Sequence, residues 1–132
     1  MFDNSIHILV VDDMKTMRKL VIRACTQLGF SQFTEAGDGA EAWTILNSAD
    51  SKIGLVISDW NMPNCTGLDL LKRVRSDQRT NKLPFLLLTA ESEASQVQTA
   101  LQAGVDNYII KPFTAEIIEQ KLKQVYAKKQ AA

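Results

Sequence analysis

A single histidine, His7, and two cysteines, Cys25 and Cys65, are all the imidazole and thiol ligands in 132 residues. The cysteines have neither CxxC spacing nor enough companions for a zinc site, so they read as small, reduced residues. No run of about 18 apolar residues is present, so nothing in the sequence spans a membrane. Met1-Phe2-Asp3-Asn4 lacks the basic and apolar regions of a signal peptide, which points to the cytoplasm. Without secretion, the glycosylation match at Asn64-Cys65-Thr66 is empty. Lys+Arg and Asp+Glu both total 15, so no bulk positive field exists to hold nucleic acid. Internal repeats, low-complexity tracts and long linkers are missing as well.

What is present suits a soluble globular protein, with 45% hydrophobic and 23% charged residues. Residues 1–132 read as one domain with its core over about Ile6–Tyr126 and a frayed tail at Lys128–Ala132. Four short apolar runs are continuous rather than alternating: Ile8–Val11, Leu55–Ile57, Phe85–Leu88 and Tyr108–Ile110. That pattern suits parallel strands covered on both faces. Phe33–Ala36 alternates in polarity and fits a sheet edge. Helical periods fall between them, at about Lys15–Leu28, Gly39–Leu46, Leu68–Arg75, Ala94–Ala103 and Ala115–Lys128. Gly29 and Gly104 stand where helix C-terminal glycines belong, and Thr114 where an N-cap does. The lysines of the last helix read as a solvated face near the favourable end of its dipole. Alternating strands and helices predict an α/β doubly wound sheet with right-handed crossovers. Ligands of such sheets bind beyond the carboxyl ends of the strands.

Four of the five strand ends carry polar or charged groups. Asp12-Asp13 closes the first strand, Asp59 the third, Thr89 the fourth, and Lys111-Pro112 the fifth. Singly each has a plain explanation, and a lone Asp13 would most simply cap the helix after it. Together they do not, because three carboxylates at one crevice repel and raise one another's proton affinity. One lysine is too little to offset them. An all-oxygen ligand set without His or Cys selects Mg²⁺, which keeps several waters and accepts phosphate oxygens. Mg²⁺, an exposed carboxylate, a lysine and a hydroxyl are the parts of a phosphoryl-transfer site, with the carboxylate as nucleophile. Pro112 restricts Lys111 to extended geometry and ends the strand, while the isomer of the bond between them stays open.

Val10-Val11-Asp12-Asp13, Ser58-Asp59-Trp60-Asn61-Met62-Pro63, Thr89-Ala90-Glu91, Tyr108 and Lys111-Pro112-Phe113 resemble the motifs of receiver domains of two-component response regulators, in particular the chemotaxis subtype. The spacing holds from about Ile6 to Tyr126. The resemblance implies a flavodoxin-like sheet of order 2-1-3-4-5 with five helices. It implies Asp59 as phosphoacceptor, and Asp12, Asp13, Asp59 and the backbone carbonyl of Asn61 around Mg²⁺. Lys111 would contact the phosphoryl group, Thr89 would swing towards it, and Tyr108 would turn inward as the switch is thrown. Asn61 and Glu91 would tune hydrolysis. The donor would be phosphohistidine of a histidine kinase, and the listener a flagellar motor switch protein or another effector, with a non-flagellar partner or a phosphorelay role as the alternative. Ser92-Glu93-Ala94 departs from the lysines that chemotaxis relatives often carry there.

Other readings leave more residues idle. Gly37-Asp38-Gly39-Ala40-Glu41-Ala42 fits GxGxxA, but Asp38 and Glu41 put negative charge where a dinucleotide pyrophosphate would sit. A phosphohydrolase working through an aspartyl phosphate would want an acid two residues after the nucleophile, where Asn61 stands and cannot protonate a leaving group. Triad hydrolysis fails because His7 opens the first strand at the opposite rim. A mere scaffold would not need the acid cluster. Trp43 and Trp60 read as packing residues, with Trp60 placed to report on its neighbour Asp59. The expectation is therefore a stand-alone, monomeric switch that takes up and slowly loses a phosphoryl group without being a turnover enzyme. Its partner protein would dock on the face formed by residues 94–126.

Overall fold

A computed structural model describes residues 1–90 and 94–131. Five strands, β1 (His7–Val11), β2 (Gln32–Ala36), β3 (Ile53–Asp59), β4 (Phe85–Thr89) and β5 (Asn107–Ile110), form one parallel sheet. Its order is β2-β1-β3-β4-β5, the doubly wound arrangement the strand and helix pattern predicts. Five helices alternate with the strands: α1 (Lys15–Gln27), α2 (Gly39–Leu46), α3 (Gly67–Ser76), α4 (Ala94–Gln102) and α5 (Ala115–Ala131).

The continuous apolar strands supply two cores because successive side chains point to opposite faces. On one face Ile8, Val10, Leu55, Ile57, Leu86, Leu88 and Ile109 pack against α1 and α5. On the other, Leu9, Val11, Val56, Phe85 and Leu87 meet residues of α2, α3 and α4. β2, the strand of alternating polarity, is an edge and among the described residues pairs with β1 alone.

Helix ends follow the local chemistry. Gly29 and Gly104 take φ values of +103° and +95° just past α1 and α4, where other residues would be strained. Ile117 N–H donates to Thr114 Oγ1 at 3.2 Å, so Thr114 caps α5. α5 runs on through Ala131, past the Lys128 at which the tail was expected to fray. Lys129 anchors that end by donating to Lys82 O at 3.0 Å and pairing with Asp106 at 3.1 Å. Asp106 also accepts from Arg75 and from Phe85 N–H, tying α3, β4 and the start of β5 together below the sheet. The Lys111-Pro112 peptide is cis.

The loop from β3 into α3 lies flat against the third strand's end. Trp60 N–H donates to Leu88 O, and Gly67 N–H donates to Trp60 O, both at 2.9 Å. A Cβ on Gly67 would collide with the Asp59 carbonyl oxygen and come within 2.7 Å of Leu87 Cδ2. Replacing glycine by alanine in a helix ordinarily stabilises by up to about 1 kcal/mol. Here Gly67→Ala is expected to cost about 1–3 kcal/mol through overpacking, read as a lowered Tm. A Tm at or above that of the wild type would show that the contact yields.

Candidate functional site

The parallel sheet brings the ends of β1, β3, β4 and β5 to one rim, and with them Asp12, Asp13, Asp59, Thr89 and Lys111. One carboxylate oxygen from each of Asp12, Asp13 and Asp59 lies within 4.8 Å of the others. Asp12 is 1% exposed and Asp59 6%, while Asp13 is open to solvent. Lys111 Nζ donates to Asp59 Oδ1 at 2.7 Å and stands 4.0 Å from Asp12 Oδ2. Thr89 is buried and donates through Oγ1 to Gln96 Oε1 on α4 at 3.1 Å.

Asp13 does not cap α1. The helix begins at Lys15, with Met14 as an N-cap residue that offers no side-chain bond, and it is Asp12 Oδ1 that accepts from Met14 N–H, at 2.9 Å. The strand ends one residue before Asp12, so Asp12 turns back over its own backbone and Asp13 is left to project outward. Asp12 Oδ2 is buried, and among the described residues it has no hydrogen-bond partner. Burial, followed by repulsion from Asp59 and Asp13, raises the Asp12 pKa; the Met14 N–H bond and Lys111 oppose the rise. A buried carboxylate oxygen left unpaired costs free energy unless a cation meets it. The donor set is all oxygen and open on the Asp13 side, which fits a hard divalent cation and leaves room for its waters.

Around the cluster, Asn61 and Pro63 are exposed, Met62 is buried, and Trp60 is half-buried beside Asp59. Tyr108, on β5, is half-buried with Lys121 Nζ 4.9 Å from its ring centroid. Glu91 and the neighbouring Ser92 and Glu93 lie outside the described residues. At the glycine-rich start of α2, Asp38 accepts from Glu41 N–H at 2.8 Å and Glu41 reaches back to Gly37 N–H. That helix start is capped by its own acids, which argues against a pyrophosphate there. Cys25 is buried and pushed up to about 12, and burial also raises the Cys65 pKa, so both thiols are poor nucleophiles. His7 stays at the far rim, 2.6 Å from Thr34 Oγ1.

Three contributors escape a reading of the sequence. Gly67 is required by its approach to the Asp59 carbonyl and Leu87, Gln96 bonds Thr89 from α4, and Arg18 bonds the Asp12 carbonyl from about one turn into α1. Arg18 alone left a signal, since its spacing from Asp12 turns it back towards the strand end.

Parallel order, the acid cluster and the lysine together define the receiver-domain class. Residues 8–123 match the response regulator receiver domain family, and the chain belongs to it. Chemotaxis protein CheY1 of Helicobacter pylori is 47% identical over 119 residues, covering 89% of this chain and 94% of that protein. Chemotaxis protein CheY of Pseudomonas aeruginosa is 43% identical, covering 90% and 94%. The solved structure of the chemotaxis response regulator CheY4 of Vibrio cholerae aligns with a TM-score of 0.82 at 30% identity, covering 92% of this chain and 98% of that one. The described residues contain no helix long and apolar enough to cross a membrane.

Because the folded-state pKa of Asp12 is raised, ionising it costs stability at neutral pH. That cost disappears as pH falls through the raised value towards the unfolded one. Asp12→Asn should therefore raise the Tm of the metal-free protein at neutral pH. Mg²⁺ at about 100 times its Kd should add about 2.7 kcal/mol to the wild type and nothing to the variant. Melting curves with and without Mg²⁺, repeated at descending pH, check both signs.

Proposed function

We infer that this chain is a phosphorylation switch of a two-component system acting in chemotaxis. Asp59 accepts a phosphoryl group from the phosphohistidine of a histidine kinase, and Asp12, Asp13, Asp59 and the Asn61 backbone carbonyl hold Mg²⁺. One observation carries the reading: the buried Asp12 Oδ2, without a hydrogen-bond partner among the described residues, beside an Asp59 already paired to Lys111 at 2.7 Å. When bound, Mg²⁺ offsets the carboxylates and polarises the phosphoryl oxygens.

A carboxylate oxygen of Asp59 attacks phosphorus as the phosphorus–nitrogen bond to the donor imidazole breaks, which leaves an acyl phosphate on Asp59. Lys111 then exchanges part of its contact with Asp59 for the charge of the phosphoryl oxygens. Asn61 has no proton to give a leaving group, so the acyl phosphate is stored rather than turned over. Asn61 and Glu91 tune how fast water removes it.

The output follows from competition for one hydroxyl. Thr89 bonds Gln96 in this state, and a phosphoryl oxygen competes for the same group. Phosphate shifts the balance only by as much as it binds one state better. Thr89 and Tyr108 sit on β4 and β5, whose helices form the face of residues 94–126. Leu101 and Ile110 on that face are 50% and 40% exposed, which suits a protein partner. The chemotaxis relatives support a role in chemotaxis, and a flagellar motor switch protein or another effector is the partner proposed for that face. The protein is taken to act as a monomer in the cytoplasm.

Incubation with Mg²⁺ and a small acyl phosphate, read by intact mass, tests the reading. A base-labile phosphoryl adduct is expected on the wild type and none on Asp59→Asn. A folded wild type that takes up no phosphoryl group would end the proposal.

A further inference from the structure

Asp12 is held from three directions, and one hold comes from outside the acid cluster. Its N–H donates to Ala36 O on β2 at 3.1 Å, and its Oδ1 accepts from Met14 N–H. Its carbonyl oxygen accepts from Arg18 Nη1 at 2.7 Å. Arg18 Nε in turn donates to Glu35 Oε1 on β2 at 2.9 Å, while Lys19 Nζ holds the other Glu35 oxygen at 3.0 Å. The planar fork of Arg18, only 17% exposed, thus bridges the edge strand to the peptide that joins Asp12 to Asp13. α1 has no side-chain cap to steady its first turn, so this bridge is an important restraint on that peptide.

A guanidinium near a cation site pulls in two directions. Its charge repels the cation, whereas its hydrogen bond orients the peptide from which both carboxylates project. Glu35, ion-paired at 2.9 Å, offsets the charge and leaves the orientation. Resting on the reading of the acid cluster as a Mg²⁺ site, we propose that Arg18, braced by Glu35, is a positioning residue that sets the cation affinity of Asp12 and Asp13. It need touch neither cation nor phosphoryl group. The two effects have opposite signs, so the balance is measurable. Loss of orientation weakens Mg²⁺ binding, and loss of repulsion tightens it.

Calorimetric titration of Mg²⁺ into wild type, Arg18→Met, Arg18→Lys and Lys19→Met decides the matter, with metal-free melting curves run alongside. Arg18→Met is expected to weaken Mg²⁺ about tenfold, the scale at which groups supporting metal ligands act. Arg18→Lys should lose affinity similarly, because one ammonium cannot reproduce the fork to Glu35 and the Asp12 carbonyl. It also keeps the test open if Arg18→Met fails to fold. Lys19→Met, which removes a charge from the same helix but no bond to Asp12, should stay within twofold of the wild type. An affinity unchanged or tightened in the Arg18 variants, even with a lowered Tm, overturns the positioning role. So does an equal loss in Lys19→Met. A wild type that binds no Mg²⁺ instead overturns the cation site itself.

Discussion

Lys111 pairs with Asp59 at 2.7 Å in a crevice where three carboxylates converge, and one ammonium cannot neutralise them. The surplus negative charge at that rim is the constraint around which the molecule is built. One buried oxygen of Asp12 has no hydrogen-bond partner among the described residues, and burial, reinforced by that charge, raises the group's pKa. A fold maximised for stability would replace such a cluster. Its persistence is intelligible when a cation and a phosphoryl group complete it, because the cost carried in the free state then becomes affinity for both.

The surroundings hold this cluster in place. Three bonds fix Asp12, from Ala36, Met14 and Arg18, and the flat packing of Gly67 fixes the carbonyl of Asp59. Below the sheet, Arg75, Asp106 and Lys129 clamp the start of β4 and the turn into β5. At the rim, Thr89 is held by Gln96 and Tyr108 is half-buried with Lys121 over its ring. The proposed switch would draw on such an arrangement, a fixed frame with a few side chains that exchange partners.

Much of this was readable from residues alone. Continuous Val, Ile and Leu runs announced a parallel sheet covered on both faces, and Gly29, Gly104 and Thr114 marked helix ends where they occur. Asp12, Asp13, Asp59, Thr89 and Lys111 were legible because the doubly wound rule sends every strand end to one rim. The helix cap weighed for a lone Asp13, and set aside once the strand ends were read together, is absent: β1 ends at Val11, Asp12 takes the Met14 amide and Asp13 is exposed. Gln96 and Gly67 stayed hidden because their contacts rest on distances that no periodicity encodes, while Arg18 left only the hint of its spacing from Asp12.

By itself the sequence determined the alternation of strand and helix, the two-sided burial of the sheet and the identity of the acid cluster, since all three follow from side-chain chemistry at short range. Only the tertiary structure decided which oxygen of Asp12 lacks a hydrogen bond among the described residues, that Lys111 chooses Asp59, and that Arg18, held by Glu35, bonds the Asp12 carbonyl. Those outcomes depend on ångström-scale distances between residues up to 52 positions apart. Chain closure and core packing set such distances, because a buried charge must settle with whatever partners the fold brings within reach.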